Sequence, residues 1–311
     1  VHLRTGTVQA DPRHPLGRTP LLANEDLILS RQRLSRGFPF LVRNGQVDEL
    51  WYVQSGGGSL GTQFGSLEIR DGDYVILPRG TIWEVHPSSP LDLFILETPH
   101  PIQIPKKYRS DSGQLLEQAP FCERDFRVPE LAPPREEREV TLCIRLQDGF
   151  QWQTLDRHPF DLVGWDGTLY PWCFSIHDFE PITGRIHQPP PVHQTFEGTG
   201  FVVCSFVPRL FDYHPEAIPA PYAHSNVDSD EVLFYSAGQF MSRKGIDAMS
   251  LTLHPAGLPH GPHPGKVEES IGKKDTRELA VMVDTFRPLK LTTFGADLSD
   301  PDYPWSWLPE E

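Results

Sequence analysis

Glu231-Val-Leu-Phe-Tyr-Ser-Ala-Gly238 decides how this chain is read, because an earlier stretch, Glu49-Leu-Trp-Tyr-Val-Gln-Ser-Gly56, matches it. Both open on a glutamate, run through an apolar middle of strand-forming residues and close on a glycine at the same offset. A Pro-x-Gly turn follows each, Pro78-Arg-Gly80 in the first and Pro255-Ala-Gly257 in the second. There the copies part. Three residues past the turn glycine stand Trp83 in one and His260 in the other; seven residues before the glutamate stand Val42 and His224. One copy carries two histidines and a carboxylate at metal-ligand spacing, and the other has the same frame without them.

The frame is β. Residues 50–53, 67–69, 74–77 and 91–96 are short β-branched or aromatic runs, and Gly56-Gly-Gly58, Asp71-Gly72 and Pro78-Arg-Gly80 read as turns between them. Further runs at 140–144, 162–165, 201–207, 232–235, 250–253 and 279–286 predict strands in the second half. No amphipathic helical segment exceeds about three turns. The 32 prolines and 25 glycines suit many short strands joined by turns. The predicted fold is all-β, two jelly-roll β-barrels in tandem with few short helices. Residues 1–20 are expected to form an N-terminal arm, 21–98 a metal-less barrel, 99–139 a proline-marked linker, and 140–311 the barrel with the metal site. Trp165, Tyr170 and Trp172 are read as core.

Composition narrows the function. A formal charge of −14, with no lysine or arginine run longer than two, argues against nucleic acid as a partner. The longest apolar run near the centre, residues 201–204, is far short of the roughly 20 residues a membrane span needs. The N-terminal residues lack the apolar core of a secretory signal. Cys122, Cys143, Cys173 and Cys204 form no C-x-x-C pair, which points to reduced thiols and a cytoplasmic location.

The chemistry gathers in the second half, where eight of the 13 histidines lie between His177 and His263. His224-x6-Glu231 followed by Pro255-x-Gly-x-x-His260 sets two imidazoles and a carboxylate near one hairpin and its neighbour. Three such ligands on one face of an octahedral ion leave three positions open, the arrangement of non-haem Fe(II) oxygenases. Zinc accepts the same donors, and the spacing alone does not separate iron from zinc, manganese or nickel. Arg209 and Arg145 are candidate anchors for a substrate carboxylate.

The Glu-x6-Gly and Pro-x-Gly-x-x-His spacings resemble the two cupin motifs, with Asn226 where a second histidine often sits. More specifically, the chain resembles the homogentisate 1,2-dioxygenase family. The matching stretches are Phe160-Asp-Leu-Val-Gly-Trp165, Phe206-Val-Pro-Arg209, Pro221-Tyr-Ala-His224-Ser-Asn226, Leu253-His254 through Pro259-His260-Gly-Pro262, and, in the first half, Gly72-Asp-Tyr-Val-Ile-Leu-Pro-Arg-Gly80. The resemblance implies that His224, Glu231 and His260 bind Fe(II), that His187 is the catalytic acid/base, and that His254 and Tyr222 stand beside the ligands or the substrate. Nine residues past the metal glutamate the family has a tyrosine that bonds the ring hydroxyl, whereas this chain has Phe240. The family is also typically longer. The implied activity is ring cleavage, with both atoms of O2 incorporated, of homogentisate or a related hydroquinone-type aromatic in tyrosine and phenylalanine catabolism. The implied partners are that small aromatic and O2, in a homo-oligomer, trimer or hexamer. A metal-dependent bicupin isomerase and a non-enzymatic ligand-binding bicupin are the alternatives.

Overall fold

The structure, a computed structural model, describes residues 1–188, 190–240 and 242–308; Pro189, Met241 and the last three residues lie outside the description. Strands hold 41% of the chain and helices 9%, so the fold is all-β. The α-helices among the described residues, Lys266–Ser270 and Thr293–Asp297, are five residues each. A twelve-stranded sheet and a six-stranded sheet, both of jelly-roll type, carry the fold beside a small two-stranded ribbon.

The duplication is visible in the strand registers. Strand Asp48–Thr62 pairs with Asp73–Leu77 and Ile82–Thr98, setting Glu49 opposite Leu77 and Glu97. Strand Asp230–Ala237 pairs with Ser250–His254 and Leu279–Thr285, setting Glu231 opposite His254 and Asp284. Val42 faces Trp83 across one pair of segments, and His224 faces His260 across the other.

Because side chains alternate along a strand, each central strand serves two volumes. Leu50, Tyr52, Val232 and Phe234 point into one apolar core shared by the two sheets. There Phe94 stacks on Phe234 at 4.7 Å, Tyr52 bonds the Ser236 hydroxyl at 2.7 Å, and Tyr74 bonds that of Ser205 at 2.9 Å. On the other face of the first sheet, Trp51, Val53 and Trp83 belong to a second packed cluster that fills the first half. In the second half, the positions alternating with Val232 and Phe234 (Glu231, Leu233 and Tyr235) line a cavity instead.

Several expectations change. Strand Val140–Leu146 runs parallel to Leu41–Asn44, and Trp172–Ser175 pairs with Asp73–Leu77, so residues 140–175 complete the first sheet rather than begin the second. The expected arm contributes strand His2–Arg4 to the second sheet, beside Ser250–His254. The physical reason is that open sheet edges recruit strands from any distance in sequence, which local spacing does not reveal. The run Gly56-Gly-Gly58 is no turn but the bulged middle of a fifteen-residue strand; Gly56 has φ +90°, and a Cβ there would collide with the Pro90 carbonyl. Residues 162–165 form no strand, and Trp165 is exposed rather than core.

Glu49, the counterpart of Glu231, is wholly buried with a cation of its own. Arg18 Nη2 lies 2.6 Å from Glu49 Oε2, and Arg18 Nη1 lies 3.2 Å from Glu97 Oε1. Asn44 Nδ2 and Trp51 Nε1 donate to Glu49 at 2.9 and 2.6 Å. Burial alone would raise the Glu49 carboxyl, but Arg18 and these two donors outweigh it and hold the group below its ordinary value. Removing one partner of a buried ion pair typically costs about 3–5 kcal/mol. Arg18→Met is therefore expected to lose about that much stability in urea denaturation at pH 7, with Glu49→Gln in the same chain recovering part of it. A loss below about 1 kcal/mol, the worth of an exposed pair, would show that water already screens the cluster.

Candidate metal centre

His224 and His260 sit opposite one another on two short extended segments, each backbone N–H donating to the other's carbonyl at 2.8 Å. That bridge brings their rings to 4.4 Å. Each imidazole donates Nδ1–H to a carbonyl two residues earlier, Tyr222 O at 3.0 Å and Leu258 O at 3.1 Å. The tautomer is thereby set, and both Nε2 lone pairs are left free. Glu231, near the start of its strand, brings its carboxylate to them. One ligand atom from each of the three residues lies within 4.8 Å of the others. His260 Nε2 is buried with no hydrogen-bond partner among the described residues and stands 3.6 Å from Glu231 Oε1. An unpartnered, inward-facing nitrogen beside a carboxylate fits a divalent ion, and His2Glu suits iron as well as zinc.

His254 supports this trio from behind. Its Nδ1–H donates to Glu231 Oε1 at 2.7 Å, and its ring stacks on His260 at 4.3 Å. Burial pushes His254 down to about 4, so the imidazole is neutral at physiological pH. Its Nε2 then accepts from Arg243 Nη2 at 3.5 Å. Burial alone would raise the Glu231 carboxyl, but the His254 hydrogen bond, the neighbouring imidazoles and Asn226 hold it below its ordinary value.

A cavity of about 700 Å³ opens on the three ligands. Phe240 lines it and packs edge-on against Tyr235 at 4.5 Å. Tyr222 stands at the mouth, 65% exposed, with its ring 5.6 Å from His224. His187 is 5.8 Å from Tyr222 on the other side, and its Nδ1 lies 3.7 Å from Asp212. Arg209 lines the cavity too, but Arg145 does not; it lies in the first half beside Glu97. Trp165, Tyr170 and Trp172 also stay out of the cavity.

Sequence reading misses two neighbours of the trio. Arg243 lines the cavity although no motif marks it. Asp284 faces Glu231 across the strands, with Oδ1 buried and unpartnered among the described residues. Burial, then the charges of Glu231 and Asp228, pushes it up to about 7. A signal for Asp284 does exist: Glu97-Thr98 and Asp284-Thr285 are the same acid-threonine pair at the same point of the repeat.

Known proteins resemble this chain over most of its length. The sequence family described as Homogentisate 1,2-dioxygenase N-terminal matches residues 40–176, a span that ends where the first sheet receives strand Trp172–Ser175. A protein of Saccharolobus solfataricus with a provisional dioxygenase name is 45% identical over 94% of this chain and 77% of its own length. Homogentisate 1,2-dioxygenases of Nitrobacter hamburgensis and Bradyrhizobium diazoefficiens are 25% and 24% identical over 86% of this chain, which spans 64% of the length of each. A solved cupin barrel protein of Leptotrichia buccalis matches 87% of this chain and 88% of its own at TM-score 0.39 and 9% identity, too distant to bear on function. The sheets and the repeated motif define an all-β protein of two jelly-roll halves. Within that class, the chain belongs to the homogentisate 1,2-dioxygenase family.

Two outcomes follow from this geometry. Residues that orient a metal ligand are commonly worth 10–100-fold in metal affinity. His254→Leu should accordingly weaken divalent-ion binding about 10–100-fold in chelator competition, with the fold retained by circular dichroism. His193, which lines the cavity, is pushed down to about 3, chiefly by burial and then by Arg209 and His187. Both states are neutral at that position above about pH 6.5; below it the unfolded chain takes up a proton that the folded chain refuses, so stability is lost as pH falls. His193→Phe should remove that loss, and denaturation at pH 7.5 and pH 5 should show the variant gaining on the wild type only at the lower pH.

Proposed function

We propose that this chain is an Fe(II)-dependent dioxygenase that cleaves the ring of homogentisate or a related hydroquinone-type aromatic. The observation that carries the reading is the convergence of His224 Nε2, His260 Nε2 and the Glu231 carboxylate on the wall of a cavity large enough for an aromatic ring. Cavities of this size ordinarily take small organic ligands. Membership of the family, and relatives named as dioxygenases, support the same chemistry. An Fe(II) ion held there would supply a centre at which a ring hydroxyl oxygen and dioxygen meet on one open face.

The remaining work falls to the chain. Leu233, Phe240 and Met282 offer apolar surface for the face of the ring. Phe240 gives no hydrogen bond, and a missing donor to a buried oxygen costs about 1–3 kcal/mol, so the ring must be oriented by other groups. His187 is the acid/base: Asp212 faces its Nδ1, which leaves Nε2 to take the proton of a ring hydroxyl and return it later. Its side chain is 58% exposed, so it exchanges that proton readily with solvent.

Metal analysis after anaerobic purification, followed by oxygen uptake with homogentisate, gentisate and hydroquinone, tests the reading. One iron per chain and ring-dependent uptake are expected. Turnover that persists with zinc or manganese and without oxygen would favour a bicupin isomerase. His187→Asn should keep the iron and lower turnover about 10²–10⁴-fold, the usual range for acid–base catalysis. Raising the pH should partly restore it, because an already ionised hydroxyl needs no base. Loss of iron together with activity would make His187 a structural group instead.

A further inference from the structure

Resting on that reading of the site, we propose that the outer part of the cavity is an apolar subsite for a substituent on the substrate ring, so that the protein takes hydroquinone-type phenols carrying an alkyl chain. The cavity is too large for a ring alone. A cavity that holds benzene measures about 150 Å³, roughly a fifth of the 700 Å³ that opens on the ligand trio. Leu233, Phe240 and Met282 give the ring its apolar surface near the ligands. Further out, Ile182, Ile186, Leu210 and Ile218 line the same cavity. All four are exposed to solvent. Apolar side chains gathered in this way commonly mark a ligand-binding groove.

The polar side chains beside these four are already engaged. Thr183 Oγ1 donates to the Leu210 carbonyl at 2.9 Å, Gln188 Nε2 donates to that of Ile186 at 3.2 Å, and His214 Nδ1 accepts from the Glu216 N–H at 3.1 Å. Arg209 is met by Glu278 at 2.9 Å, and Arg185 is exposed to water. What remains for a ligand is hydrocarbon. The wall is also held in place without one. The Thr183 bond and the Tyr213 N–H to the Gly184 carbonyl, at 3.2 Å, join two of its loops. The Ala220 N–H to the buried Ser270 hydroxyl, at 3.1 Å, pins the third. Ile186 precedes His187 directly, and the His187 ring lies 5.8 Å from that of Tyr222, which lies 5.6 Å from that of His224. A chain leaving a ring bound at the trio passes these residues, meets Ile186 and Leu210 within one cavity, and exchanges water for apolar surface.

The test is equilibrium binding of 3-methylphenol and of 3-pentylphenol, by anaerobic calorimetry on metal-free and Fe(II)-loaded protein. A fully buried methylene corresponds to about 3–4-fold in affinity. The longer phenol, covered on one side by an open wall, should bind about 10-fold more tightly in both forms. Ile186→Asn and Ile218→Asn should each cut that preference about 3-fold, and the double variant should bind the two phenols nearly alike. Thermal melting and metal content are read alongside and should not change, because both side chains are exposed. Equal binding of the two phenols by the wild type overturns the proposal. So does a preference that the double variant keeps, since the chain would then lie elsewhere. A pair of copies in sedimentation that the double variant separates, with no preference in the wild type, would make this surface an interface and overturn it too. Chain-dependent binding without iron binding or oxygen uptake would leave the subsite standing and end the dioxygenase reading; ring-dependent uptake without the chain preference would do the reverse.

Discussion

A carboxylate at an inward-facing strand position must have its charge met, and the two halves of this protein meet it differently. In the first half Arg18 reaches both Glu49 and Glu97. In the second, Glu231 pairs with no arginine among the described residues; it has His254, Asn226 and two histidines whose free nitrogens face the same point. Desolvating an ionised carboxylate without a partner is prohibitive in either setting. Where the chain supplies its own cation the site is closed, and where it supplies lone pairs the site asks for an ion from outside. The contrast lies in a handful of residues on an otherwise shared frame.

The filling of each half follows the same division. Trp51 and Trp83 pack edge to face at 4.8 Å inside the first half, with Trp83 at the position that His260 occupies in the second. Their bulk fills that side of the first sheet. In the second half the corresponding strand face carries Leu233 and Tyr235 around open space. Apolar burial that would ordinarily fill a barrel is found instead on the other face of its strands, in the core shared with the first sheet. The second half therefore leans on the first for packing.

Much of the site was legible in the residues because it depends on local spacing. His224, Glu231 and His260 are set by turn and strand lengths, and period-two alternation places Glu231 inside. The trio and its contrast with Val42, Glu49 and Trp83 follow from that alone. What depends on distant pairing was hidden. Local spacing puts residues 140–175 in the second half, whereas their partners lie about a hundred residues earlier and no motif marks a sheet edge. Gly56-Gly-Gly58 looked like a turn because glycine serves bulges and turns alike. Arg243 belongs to no motif, and its environment is built by Gly261, His254 and Trp307, which the fold brings round it.

The paired backbone hydrogen bonds between His224 and His260 have a kinetic consequence. They stitch the two ligand-bearing segments together without any ion, and the Nδ1 bonds to Tyr222 and Leu258 lock the rings. Capturing a metal then demands little rearrangement, so the empty and loaded forms should exchange without passing through an unfolded intermediate. The stabilisation an ion confers would grow only with the logarithm of its free concentration relative to Kd. A divalent ion that fits there would be gained without the chain having to refold around it.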